Sequence, residues 1–207
     1  MVRLLQLVAI CLFLVLCYGA ETSPTLAFQD NEECASDRWL AADSATPSAV
    51  SSAEVSLPAW MTMPLTDACS GTSFTLADLS GKTLYIEQMA TWCVNCHGQL
   101  ARAKEAAAAL PPDVQEGVVL ILLSSEVDLP REDLANYVRK NDFPYVSAVM
   151  SADYLRAMAD DLGREVAVPP AMPFIIVDPD GTIGDLHTGG KSSDELAALF
   201  EGVHNGS

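Results

Sequence analysis

Apolar residues in this chain fall into short continuous runs that alternate with stretches of helical character. Thr83-Leu84-Tyr85-Ile86-Glu87-Gln88-Met89 is mostly apolar and reads as a central strand. Gly117-Val118-Val119-Leu120-Ile121-Leu122-Leu123 is apolar throughout, the pattern of a strand buried on both faces. Residues 145–150 and Phe174-Ile175-Ile176-Val177 predict two more strands. The turn Asp178-Pro179-Asp180-Gly181 follows, then a further strand at 182–186 and the pair Gly189-Gly190. Ser73-Phe74-Thr75-Leu76 alternates as a short strand, with a turn at Leu79-Ser80-Gly81-Lys82. Between these runs, residues 93–110 are Ala-rich and stop at Pro111-Pro112, which predicts a helix. Residues 130–141 open on proline with Glu132-Asp133 in the first turn, and 151–162 open on a serine cap. Ser192-Ser193-Asp194-Glu195 begins a terminal helix to about Val203. Strands alternating with helices, ending in a hairpin and a helix, indicate an α/β sandwich around a mixed sheet.

The N-terminal part breaks this pattern. Arg3 precedes a run at 4–16 that is apolar except for Gln6, and Gly19 and Ala20 follow, so residues 1–20 read as an export signal peptide. The run is shorter than the roughly 18 apolar residues a membrane span needs. Cys17 after Leu14-Val15-Leu16 raises a lipoprotein alternative, and an uncleaved leader would tether the protein to a membrane. Residues 21–56 read as a low-complexity tail, small and polar at 42–53, with a short helix around 32–41 whose apolar face is Trp39 and Leu40. The folded domain is expected at 57–207. Half of the chain is hydrophobic, enough for a core, and the 28 acidic against 11 basic residues give a formal charge of −17. Such a surface repels a phosphate backbone, which excludes nucleic acid as a partner, and favours solubility outside the cytoplasm or in salt.

Export changes the meaning of the six cysteines. Cys11 and Cys17 leave with the leader, and an even remainder in an oxidising compartment suggests two bridges. Three pairings are open, and adjacency favours Cys93 with Cys96, leaving Cys34 with Cys69 as a structural disulfide.

Cys93-Val94-Asn95-Cys96 carries the chemistry. It follows an apolar strand and opens a helix, where unpaired N–H groups and the helix dipole favour a thiolate. Cys93 is therefore the candidate nucleophile. Cys96 lies one turn on, with α-carbons about 5 Å apart, and is the resolving thiol. A zinc site lacks further ligands at suitable spacing. The rival reading is haem attachment, because Cys93-Val94-Asn95-Cys96-His97 satisfies the c-type pattern. His97 otherwise lies on the first helical turn, close enough to tune the thiols.

Phe74-Thr75-Leu76-Ala77-Asp78-Leu79-Ser80-Gly81-Lys82, a strand, and then Ala90-Thr91-Trp92-Cys93-Val94-Asn95-Cys96 resemble the exported TlpA/ResA-like branch of the thioredoxin family. Ala171-Met172-Pro173-Phe174 resembles the segment that carries the family's cis-proline, and Asp178-Pro179-Asp180-Gly181 its hairpin turn. The likeness covers about residues 57–203. It implies a thioredoxin-like three-layer sandwich and a protein disulfide oxidoreductase without a cofactor. It also implies that Pro173 is a cis-proline packed on the cysteine pair, with Pro169 and Pro170 competing for that place. Met172 would bind the substrate chain through its backbone, and Trp92 would shield the thiols and contact partners. Glu87 matches the family's buried acid, with a raised pKa and a proton to exchange with Cys96. Protein thiols and disulfides of the cell envelope, apocytochrome c among them, and a membrane electron donor are the implied partners. The implied location is extracytoplasmic. Two positions depart from the pattern: Val94-Asn95 contains no proline, and Met89 stands where an aromatic residue is common. The departures leave the direction of electron flow open and keep a redox-inactive binding module as an alternative.

Overall fold

The computed structural model describes residues 34–40 and 57–204. The leader at 1–20, with Cys11 and Cys17, and the linker at 42–53 lie outside the described residues. In chain order the elements begin with α1 (Asp37–Leu40) and α2 (Ala59–Thr62). A hairpin of β1 (Leu65–Thr66) and β2 (Ser73–Phe74) follows, and then β3 (Thr83–Met89), α3 (Val94–Ala109) and α4 (Pro112–Gln115). The second half consists of β4 (Val118–Ser124), α5 (Arg131–Lys140), β5 (Val146–Val149), α6 (Ala152–Leu162), β6 (Phe174–Val177) and α7 (Ser193–His204).

The central sheet has the order β5-β4-β3-β6. β3 is parallel to β4 and β4 to β5, while β6 is antiparallel to β3, so the sheet is mixed. Every residue of β3 and β4 is buried, as their apolar runs require. Side chains alternate across the sheet. Tyr85 and Met89 join Leu120, Leu122 and Phe174 in a core closed by α3, α5 and α7. Leu84 and Ile86 face the other way, into a core with Trp60 of α2 and Tyr154 and Met158 of α6. Helices on both faces make three layers, the thioredoxin-like sandwich expected from the resemblance. Among the described residues no helix is long and apolar enough to cross a membrane.

The strand expected at 182–186 does not form a regular ladder. Only Val177 with Ile183 and Phe174 with His187 pair as isolated bridges. Three steps along β6 are matched by four on the returning segment, and the extra residue interrupts the pairing as a bulge does.

The segment 34–40, which the sequence assigns to the tail, is seated on the domain. Cys34 and Cys69 are joined by a disulfide with α-carbons 5.8 Å apart. Ser36 is buried and its hydroxyl donates to Asp67 Oδ2 at 2.8 Å. Asp67, fully buried, also accepts the backbone N–H groups of Cys69, Ser70 and Ser147, at 3.1, 2.8 and 3.0 Å. Trp39 and Leu40 pack against the α2–α6 core, and the Arg38 guanidinium lies 4.5 Å from the Trp39 ring centre. The bridge closes a loop across a sequence separation of 35, for which chain entropy gives about 3–4 kcal/mol. A Cys34→Ser/Cys69→Ser protein, with Cys93 and Cys96 intact, is expected to lose that amount in urea unfolding. Asp67→Ala, which strands several buried donors, should cost as much or more in the same assay.

Candidate active site

β3 ends at Met89, and Ala90-Thr91-Trp92 turns the chain into α3. Cys93 caps this helix with φ −85° and ψ 102°, and its sulfur accepts the Cys96 N–H at 3.2 Å. The thiol thus takes the place a serine or aspartate oxygen holds at an ordinary N-terminus. Behind the cap, Cys96, Gln99, Leu100, Ala103 and Ala106 are buried at helical spacing, and the helix stops before the two prolines. Cys93 and Cys96 form a disulfide with α-carbons 5.3 Å apart, matching the separation inferred from helix geometry. Cys93 keeps 4% of its surface exposed and Cys96 none. The Pro169 carbonyl oxygen lies 3.0 Å from the Cys96 sulfur. Once the bond is reduced, the two sulfurs meet opposite partners. An N–H donor favours the thiolate of Cys93, and a carbonyl acceptor favours the protonated thiol of Cys96. Glu126 fixes the turn from the side, its Oε2 accepting the Thr91 N–H at 2.5 Å and the Thr91 hydroxyl at 2.8 Å.

The proline expectation is corrected in two respects. Among the described residues no peptide bond is cis, so Pro173 follows a trans bond. The chain instead enters β6 through a 3₁₀ turn at Pro169–Ala171 and a left-handed Met172, φ 51° and ψ 57°. Pro173 is buried at the strand start, where its carbonyl accepts the Gln88 N–H at 3.1 Å. Pro169, one of its two competitors, makes the contact to the cysteine pair.

Glu87 is completely buried on the face of β3 that packs under α3. Its Oε2 accepts the Tyr85 hydroxyl at 2.8 Å, and its Oε1 has no hydrogen-bond partner. Burial raises its pKa from 4.5 to about 8, against the lowering effects of the Tyr85 hydrogen bond and the Arg102 charge. Tyr85 in turn accepts from Gln99 Nε2 at 3.3 Å, and Gln99 Oε1 accepts from Arg102 Nη2 at 2.8 Å. Sequence reading missed Tyr85, Gln99, Arg102 and Glu126 as parts of the site, and gave Pro169 only as a competitor of Pro173. Period-two spacing from Glu87 marks Tyr85, and Gln99 stands out as the polar residue of an apolar helix face. Glu126 comes from a distant loop and carries no local mark.

Trp92 is 62% exposed beside the pair. His97 sits on the first turn of α3, its Nδ1 3.2 Å from the Tyr137 hydroxyl and its ring tilted against Phe143. A haem joined to both cysteines would have to reach the Cys96 sulfur, which has no exposed surface and is covered by Pro169.

No family model matches the sequence, and a search of the curated proteins finds no relative. Solved structures do match. One is a thiol:disulfide interchange protein of the thioredoxin family from Chlorobium tepidum TLS, with TM-score 0.57 and 16% identity over 68% of this chain and 92% of that one. A secreted Mycobacterium tuberculosis disulfide oxidoreductase homologous to E. coli DsbE matches with TM-score 0.53 and 19% identity, covering 69% and 96%. The exposed lipoprotein thioredoxin of Streptococcus pneumoniae strain TIGR4 gives TM-score 0.52 and 20% identity, covering 67% and 97%. The chain has the thioredoxin-like fold.

Glu87 also makes stability depend on pH. Its folded pKa lies above the unfolded value, so its contribution is fully present below about 4.5 and is lost as pH rises through about 8. At about 1.4 kcal/mol per pH unit this amounts to about 5 kcal/mol. The oxidised protein is expected to unfold at lower temperature at pH 9 than at pH 5. Glu87→Gln should remove most of that difference, as read by calorimetry of both proteins.

Proposed function

We propose that the protein is an exported thiol–disulfide oxidoreductase, with Cys93 as the nucleophile and Cys96 as the resolving thiol. The observation that carries this reading is the opposite surroundings of the two sulfurs, a helix-cap N–H on Cys93 and a carbonyl on Cys96. In the reducing direction the Cys93 thiolate attacks a substrate disulfide, forms a mixed disulfide and expels one substrate thiolate. Cys96 then passes its proton to Glu87 and attacks the Cys93 sulfur. The second substrate thiolate leaves, Cys93 and Cys96 are joined again, and the substrate has gained two electrons. The reverse sequence oxidises a dithiol.

Protein substrates suit the surroundings of the pair. The large hydrophobic side chains exposed among the described residues are Trp92, Val94, Val127 and Val168. Trp92 and Val94 flank Cys93, Val127 follows the C-terminal end of β4, and Val168 precedes the turn to β6. Since β6 is antiparallel to β3, all four come to the same end of the sheet. An apolar rim around a reactive thiol favours an unfolded or extended chain over a small polar thiol. The backbone around Val168 and Met172 is the natural place for that chain to lie. The leader at residues 1–20 and the paired Cys34 and Cys69 suit an extracytoplasmic envelope location. A membrane electron donor and protein thiols of that compartment are the matching partners, with a retained leader providing a tether.

Cys93→Ser is expected to abolish insulin reduction, and undiminished turnover would refute the assignment. Cys96→Ser should accumulate mixed disulfides through Cys93, visible on non-reducing gels. In the reduced protein, iodoacetamide should label Cys93 before Cys96 at pH 7, as read by peptide mass spectrometry.

A further inference from the structure

The polar groups behind Glu87 form a chain whose direction is fixed by their chemistry. Arg102 can only donate, and its Nη2 reaches Gln99 Oε1 at 2.8 Å. The Lys191 N–H, a second obligate donor, reaches the same oxygen at 3.0 Å. Gln99 therefore presents its NH₂ inward, to the Tyr85 hydroxyl at 3.3 Å, and Tyr85 donates to Glu87 Oε2 at 2.8 Å. Every bond points at the carboxyl. The outer end is clamped, because Arg102 Nε donates to the Lys191 carbonyl at 2.6 Å. Gly190 leaves the room for it: a Cβ there would lie 3.2 Å from Arg102 Nη2 and 3.7 Å from Gln99 Oε1. Gly189, next in the same loop, donates to the Ala171 carbonyl at 2.7 Å in the turn that covers Cys96.

We propose that Arg102, Gln99 and Tyr85 are positioning residues that bring the influence of a surface guanidinium to Glu87 and so set the pH range of exchange. The proposal rests on the reading of Glu87 as the proton acceptor of Cys96. Burial holds the carboxyl protonated up to about pH 8, and without this chain its ionisation would move higher still and leave less carboxylate to accept the Cys96 proton. The Tyr85 hydrogen bond and the Arg102 charge are the effects that oppose burial at Glu87. Arg102 is the cation whose charge acts on Glu87. Tyr137 of α5 and Tyr145 ahead of β5 are themselves pushed up, first by burial and then by the Glu87 charge. His97 is engaged with Tyr137, and His187 stacks on Phe174, the cross-strand neighbour of Glu87. Lys191 enters through its backbone, and the remaining thiols belong to the reacting pair.

The test is carboxyl NMR titration of the protein labelled with ¹³C at glutamate side chains, paired with the pH profile of insulin reduction. Tyr85→Phe and Arg102→Met should each raise the Glu87 pKa, Tyr85→Phe by about one unit, and Arg102→Lys should recover part of the loss. Exchange at pH 7 should fall about ten-fold in Tyr85→Phe, with its profile displaced to alkaline pH by the same amount. Arg102 is half-buried at the rim, so its variants keep the core intact should Tyr85→Phe fail to fold. An unmoved Glu87 titration in these variants overturns the proposal. A moved titration with an unmoved exchange profile overturns the reading of Glu87 as proton acceptor, and with it the control of exchange, while the electrostatic chain stands.

Discussion

Strand β3 is enclosed on both faces, so its polar side chains can be met only by one another or by what neighbouring elements bring to them. That single condition organises the region. It turns Glu87 from a solvated carboxylate into a group that ionises near pH 8, and it makes Tyr85 and Gln99 obligatory company for it. The turn at Thr91, tied to Glu126, leads from the end of the strand to Cys93 at the head of α3. The cysteines are in turn short of solvent. Their reactivity is decided by a helix N-terminus on one side and a carbonyl on the other rather than by water.

Much of this was readable in the sequence, for reasons that can be named. β3 and β4 betray themselves because strands buried on both faces must be apolar along their length. α3 is marked by alanine and by the paired prolines that end it. The C-x-x-C spacing places both sulfurs on one helical turn whatever the rest of the chain does. What escaped depends on contacts made across long separations. Glu126 meets Thr91 from 35 positions away, and nothing near either residue announces it. Pro169 sets its carbonyl on Cys96 from 73 positions away, and the left-handed Met172 behind it is a dihedral that a methionine in sequence does not advertise. Cys34 to Leu40 looks like tail by composition. It is seated because a buried aspartate and a bridge supply what its few apolar residues cannot.

The acidic surface and the interior chemistry are separate matters. With 28 acidic residues, the surface speaks to solubility and to the partners it repels. Glu87, on the face beneath α3, is withdrawn from that surface, as is Asp67 beside the long-range bridge. Arg102, among only 11 basic residues, is placed where its charge reaches inward through an amide and a phenol.

The two bridges differ in reach, with separations of 3 and 35 residues. Closing a short loop costs an unfolded chain less entropy than closing a long one. During oxidative folding, Cys93 and Cys96 therefore meet each other first and withdraw from the competition. Cys34 and Cys69 are then left with a single available partner each. Among the four described cysteines, the proximity of one pair thus narrows the choice left to the other.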